Sequence, residues 1–231
     1  MTKQNSREGT VVVIASLLAS IVLASVAVQI WSYFSHGSLF IHGDLVPQGE
    51  LADLIGVWVG MLAGAFFFAF LSKTSLINLV GLRFKPIDAI FFIIGIACQI
   101  LLVNILYFPF EKLIHGLTKQ INQTAISETK LLSGAWLIIL GFCIVLIAPI
   151  VEEIFFRGIV LHWAQDITGT KVRAALLSSA LFAIMHFVPI EIPALFALGM
   201  ILSYLQMRFN RLGPCIAVHV GFNFLAIVLV K

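Results

Sequence analysis

The chain has 231 residues, of which 61% are hydrophobic and 11% charged, with a formal net charge of +3 and a mean hydropathy of +1.08. So much apolar surface excludes an ordinary water-soluble domain, and the small charge gives no support to nucleic-acid binding. The composition specifies an all-α, polytopic integral membrane bundle over residues 1–231, without a second domain or long linker.

At ~20 apolar residues per crossing, the length allows about seven transmembrane helices. The first expected span runs from Val11 to Phe34, longer than the ~7–15-residue apolar core of a cleaved signal peptide. The second, Leu51 to Ser72, carries Gly56, Gly60 and Gly64 as a small-xxx-small face suited to close helix packing. Ile87 to Phe108 follows. Between it and the next span, Glu111 to Ser133 places Leu113, Leu117 and Ile121 at i, i+4, i+8, a pattern for an amphipathic interfacial helix. The remaining spans are Gly134 to Arg157, Val172 to Phe187, Ile192 to Arg208 and Pro214 to Val230, the fifth and sixth being short.

Placing the amino terminus in the cytoplasm puts ten basic residues inside: Lys3, Arg7, Lys73, Arg83, Lys85, Arg157, Lys171, Arg173, Arg208 and Arg211. Four fall outside, Lys112, Lys119, Lys130 and Lys231, so the bias favours a cytoplasmic amino terminus. The expected location is a prokaryotic cell membrane; Asn122-Gln123-Thr124 is a glycosylation sequon only in a eukaryotic cell. Membrane lipids are the expected surroundings, and the stretch from Gly81 to Pro86 suits their headgroups. Cys98, Cys143 and Cys215 lie in apolar stretches without CxxC spacing and read as unpaired buried thiols. Asp53, Asp88, Gln99 and Asn104 read as bonds across helices, and Ser178-Ser179 as a small-residue helix contact. His36, His42 and His115 fall in expected external segments, and His162 with Asp166 reads as a solvated i, i+4 pair.

Six polar residues inside apolar segments carry the chemistry. They form Glu152-Glu153-x-x-x-Arg157, Phe182-x-x-x-His186 and His219-x-x-x-Asn223. Ionisable groups in hydrocarbon cost several kcal/mol unless paired or wetted, so such a cluster points to function. Neighbouring glutamates on a helix project ~100° apart and do not easily share one role. Glu153 and Arg157, at i, i+4, suit an ion pair, which leaves Glu152 facing elsewhere. Glu153 and Arg157 are equally well read as charges that close a span at the interface. Pro149 removes a backbone donor and can kink the span, exposing carbonyls. Either histidine alone reads as a hydrogen bond between helices. Together with Asn223 on the face of His219, they offer a base for water and donors for an oxyanion, the needs of acyl hydrolysis.

The three motifs in this order, with Gly158 after Arg157 and the Ser178-Ser179-x-x-Phe182 lead-in, resemble the CPBP family of CAAX proteases and bacteriocin-processing enzymes, also called Abi proteins. The resemblance covers about residues 142–225. It implies an intramembrane glutamic endopeptidase that hydrolyses a membrane-delivered peptide or protein tail, prenylated or not. It further implies that Glu152 activates water with help from His186, that His219 and Asn223 stabilise the oxyanion, and that Glu153 and Arg157 support the site. No cofactor is expected. A three-ligand zinc site built from one carboxylate and two imidazoles is the alternative chemistry. A bacteriocin-immunity protein or a proton or solute relay is the non-catalytic alternative.

The expected topology contains a difficulty. Glu152 and His219 lie five and six residues from the expected cytoplasmic ends Arg157 and Gly213, whereas His186 lies thirteen from Arg173. At ~1.5 Å per residue they start ~10 Å apart in depth.

Overall fold

In hydrocarbon only a helix satisfies every backbone N–H and C=O within one segment, so long uncharged runs become helices. The computed structural model describes residues 3–35, 40–41, 44–111 and 134–229. Helices α1 (Lys3–Ser35) and α2 (Pro47–Leu71) lead, followed by the short α3 (Leu76–Val80) and α4 (Ala89–Glu111). The long α5 (Ala135–Thr168), α6 (Lys171–Ile184), α7 (Ile192–Phe209) and α8 (Gly213–Leu229) complete the order. A two-residue antiparallel ladder, β1 (Phe40–Ile41) with β2 (Asp44–Leu45), lies between α1 and α2 in register Phe40↔Leu45. The expected interfacial helix, Asn122, Lys112, Lys119, Lys130, Lys231, His36, His42 and His115 fall outside the described residues, as does the side chain of Asn104.

Among the described residues, five helices are long and apolar enough to cross a membrane: Arg7–Ser35, Pro47–Leu71, Pro86–Val103, Ala135–Thr168 and Ile192–Phe209. The other two expected spans are present as helices but fall short. Among the described residues α6 has 14 and α8 has 17, roughly 21 and 25 Å against a hydrocarbon core of ~30 Å.

α1 and α2 pack antiparallel through the expected glycine face. A Cβ on Gly56 would overlap the backbone of Ala24, one on Gly60 the backbone of Ser20, and one on Gly64 the side chain of Ser16. Ser16 and Ser20 turn their hydroxyls back to the carbonyls of Val12 and Ser16, so close approach leaves no polar group stranded. α4 and α8 use the same device, with Gly95 against the Val218 carbonyl and Gly221 against that of Phe92.

One end of the bundle is tied by polar contacts. Trp163 Nε1 donates to Thr10 Oγ1 at 3.0 Å, and Leu212 N donates to the Gly81 carbonyl at 3.0 Å. Asp88 is buried; it accepts from Lys85 N at 2.8 Å and from both terminal nitrogens of Arg211, Nη2 at 2.7 Å. Asp88 therefore bonds across segments, as its sequence context indicates. Arg83, Phe84 and Lys85 are exposed at this end.

The largest departure from expectation concerns α5. The span was expected to stop at Arg157, yet the helix continues without a break to Thr168. The expected connection from Gly158 to Thr170 is therefore mostly helix. Two wider, five-residue-per-bond turns interrupt its regular winding, at Cys143–Ile147 and Phe156–Val160, flanking the segment Ala148–Phe155 that carries both glutamates. The depth difficulty eases as a result for Glu152 and His186. Glu152 lies sixteen residues from Thr168 and His186 fifteen from Lys171, about 24 and 22 Å along their chains.

Candidate functional site

Glu153 and Arg157 do not end a span at the interface; both side chains are fully buried. Burial of a charge is tolerated only with partners, and here the partners come from far along the chain. Arg157 Nε lies 3.2 Å from Glu153 Oε2, an ion pair by distance whose angle lies outside hydrogen-bond geometry. Its Nη2 donates to the Gly199 carbonyl at 3.3 Å, and its Cζ lies 4.4 Å from the centre of the Phe182 ring. Gly199 sits where a Cβ would press on Ser179, which brings α7 against α6 and its carbonyl within reach of Arg157.

The other oxygen of Glu153, Oε1, accepts from His219 Nδ1 at 2.9 Å. One carboxylate thus joins the buried arginine to a histidine on α8. The bond fixes the ring and directs His219 Nε2 to Glu152 Oε2, 3.7 Å away. His186 is set in the same way by a different partner. It follows the last turn of α6, and its Nδ1 donates to the Phe182 carbonyl at 2.8 Å, leaving Nε2 3.9 Å from Glu152 Oε2.

Both histidines therefore present Nε2 to one carboxylate oxygen. The side chain of Glu152 is 16% exposed and that of His186 28%, while Glu153, Arg157 and His219 are closed off. Glu152 Oε2 is buried and has no hydrogen-bond partner among the described residues. The division between the glutamates, one paired and one facing two imidazoles, is the one their ~100° separation implies.

Phe182 holds these parts in place. Its ring meets Phe156 edge-on at 5.3 Å, His186 at 4.8 Å and His219 at 5.5 Å, with Arg157 over its face. Edge-to-face contacts and the cation suit the negative face and positive rim of an aromatic ring. In the sequence Phe182 is only a motif letter; in the structure it is the surface on which three polar side chains are aligned.

Asn223, one turn beyond His219 on α8, has a partner of its own. Its Nδ2 donates to the Ile144 carbonyl on α5 at 3.0 Å. Ser178 donates to the Phe156 carbonyl at 3.1 Å, and Ser179 faces Ser203 at 3.5 Å, so both serines are helix contacts. His162 Nδ1 donates to the Gly158 carbonyl at 2.9 Å, while Asp166 is exposed. Glu191 precedes α7 as the residue before its first turn. Burial pushes its carboxyl up, an effect that His186 only partly offsets. Cys98, Cys143 and Cys215 are free thiols. Among the described residues, no group of three or more His, Cys, Asp or Glu side chains is arranged to hold a metal ion.

The fold and site define a polytopic, all-helical membrane protein with a paired-glutamate and histidine cluster in its carboxyl half. Residues 134–225 match the family described as Type II CAAX prenyl endopeptidase Rce1-like. This stretch of the chain is thus similar to a family of membrane proteases, and the match takes in all three motifs. No curated protein and no solved structure shows significant similarity to the chain.

Proposed function

We propose that the protein is an intramembrane endopeptidase of the CPBP type, which hydrolyses a peptide bond with water activated by Glu152 and without a metal. The observation that carries this reading is the approach of two imidazole Nε2 atoms, at 3.7 and 3.9 Å, to a single oxygen of Glu152. One water can lie within hydrogen-bond reach of all three atoms. Glu152 takes a proton as the water oxygen attacks the scissile carbonyl carbon, and His186 orients the same water. His219, with Nδ1–H held by Glu153, donates from Nε2 to the oxyanion when that nitrogen is protonated. The proton on Glu152 then passes to the leaving amine nitrogen as the C–N bond breaks. Glu153 and Arg157 hold His219 and touch no reacting atom.

The substrate is a peptide or protein tail delivered through the membrane; a prenylated carboxyl-terminal tail is the class that the matched family's description names. α6 and α8 bring the crossings to seven in this reading, with the amino terminus in the cytoplasm of a prokaryotic cell. The test compares wild-type and Glu152→Gln protein in cells, using mass spectrometry to find peptides whose termini change. New termini that appear with wild type alone, and persist after chelation, support a metal-independent peptidase. Activity that chelation removes and zinc restores favours the metal chemistry. A biological effect retained in Glu152→Gln, without any cleavage by wild type, favours immunity or a relay.

A further inference from the structure

In the wide turn Cys143–Ile147, each bond runs to the carbonyl five residues back, and Ala148 N–H donates to the Cys143 carbonyl. The next bond in that series would run from residue 149 to the Ile144 carbonyl. Residue 149 is Pro149, in the first turn of the segment that follows, and it has no N–H. The Ile144 carbonyl therefore loses its helical partner at membrane depth, where water is scarce and an unbonded carbonyl is costly. Asn223 Nδ2 supplies the missing donor at 3.0 Å from the neighbouring helix α8.

We infer that Asn223 is a positioning residue: it replaces the N–H that Pro149 lacks and thereby fixes α5, just ahead of Glu152, against α8. His219 and Asn223, four residues apart on α8, form two rungs to α5. The first reaches the Glu153 carboxylate and the second the Ile144 carbonyl. Glu152 lies on α5 between Ile144 and Glu153, so its position against the histidines is set from both sides. The second rung uses one of the two hydrogens on Asn223 Nδ2, which leaves the other for the oxyanion role that the resemblance implies. It also ties two separate sequence features together, since the asparagine is needed because the proline is there. The link to Glu152 rests on its reading as the base; the rung itself does not.

The test is a double-mutant cycle on the full chain in detergent micelles, read by amide hydrogen exchange over Ile150–Glu153 and by thermal unfolding, with no substrate required. Asn223→Leu removes the donor at similar volume, and exchange in this segment is expected to quicken about tenfold. Pro149→Ala restores a backbone N–H, so in the Pro149→Ala background the same asparagine change is expected to alter exchange by less than about threefold. Should Asn223→Leu fail to fold, Asn223→Ala, which leaves room for water, takes its place in the cycle. Unchanged exchange in the single Asn223 variant, or equal acceleration in both backgrounds, overturns the inference. Because no cleavage is measured, failure of the peptidase reading leaves this result intact, and failure here leaves that reading to its own test.

Discussion

The amino and carboxyl halves solve the same packing problem by opposite means. α1 and α2 meet through glycine, alanine and serine, with their backbones almost touching and their hydroxyls folded back on their own helices. α5, α6 and α8 instead meet through a glutamate, an arginine, two histidines and the phenylalanine between them. Lipid offers no hydrophobic gain for bringing helices together, so contact must come from close fit or from polar bonds. The first means makes a support; the second leaves a carboxylate beside two imidazoles and so makes a site.

The sharpest separation of the two halves comes from Glu152→Gln, which keeps shape and removes the proposed base. Cleavage should fall by about 10²–10⁴-fold with an unchanged melting temperature; equal loss of both would make Glu152 a packing residue. Arg157→Met comes next, because it strands Glu153 in a closed interior. A loss of about 3–5 kcal/mol in unfolding free energy is expected, with partial recovery when Glu153→Gln is added. Additive losses would show that the pair is not coupled.

In the amino half, Gly60→Leu should cost about 1–3 kcal/mol by forcing α1 and α2 apart, with the cleavage rate of the folded fraction little changed. A fall in that rate would mean that the support reaches into the site. The smallest effect is expected from Asp88→Asn at the tied end of the bundle. It weakens the bond to Arg211 by about 1–2 kcal/mol, measurable as a lower melting temperature without any change in product.

Much of this division was readable from residue spacing. The helices fell close to their expected places, and neighbouring glutamates had to point apart. What spacing could not supply was the fate of Arg157. A charge at the end of an apolar run ordinarily marks an interface, and only Gly199 and Phe182, distant in sequence, reveal that this one is interior. The continuation of α5 to Thr168 is hidden for the same reason, since the charge of Arg157 reads as the end of the apolar run. Gly95 and Gly221 passed unnoticed because each is a single glycine whose partner lies on another helix. The carbonyl bonded by Asn223 was equally hidden, because a wide helical turn leaves no signature in residue type.

The unequal lengths of α5 and its neighbours have a mechanical consequence. α5 runs for 34 residues, about 51 Å, beside α6 of 14 residues, only about 21 Å. α6 is shorter than a ~30 Å hydrocarbon core, so acyl chains should be pulled thin around it, drawing headgroups and their water inward. Fatty-acyl length then becomes a control on turnover: in vesicles of phosphatidylcholines from 14 to 22 carbons, the rate should peak at the short end and decline as the bilayer thickens.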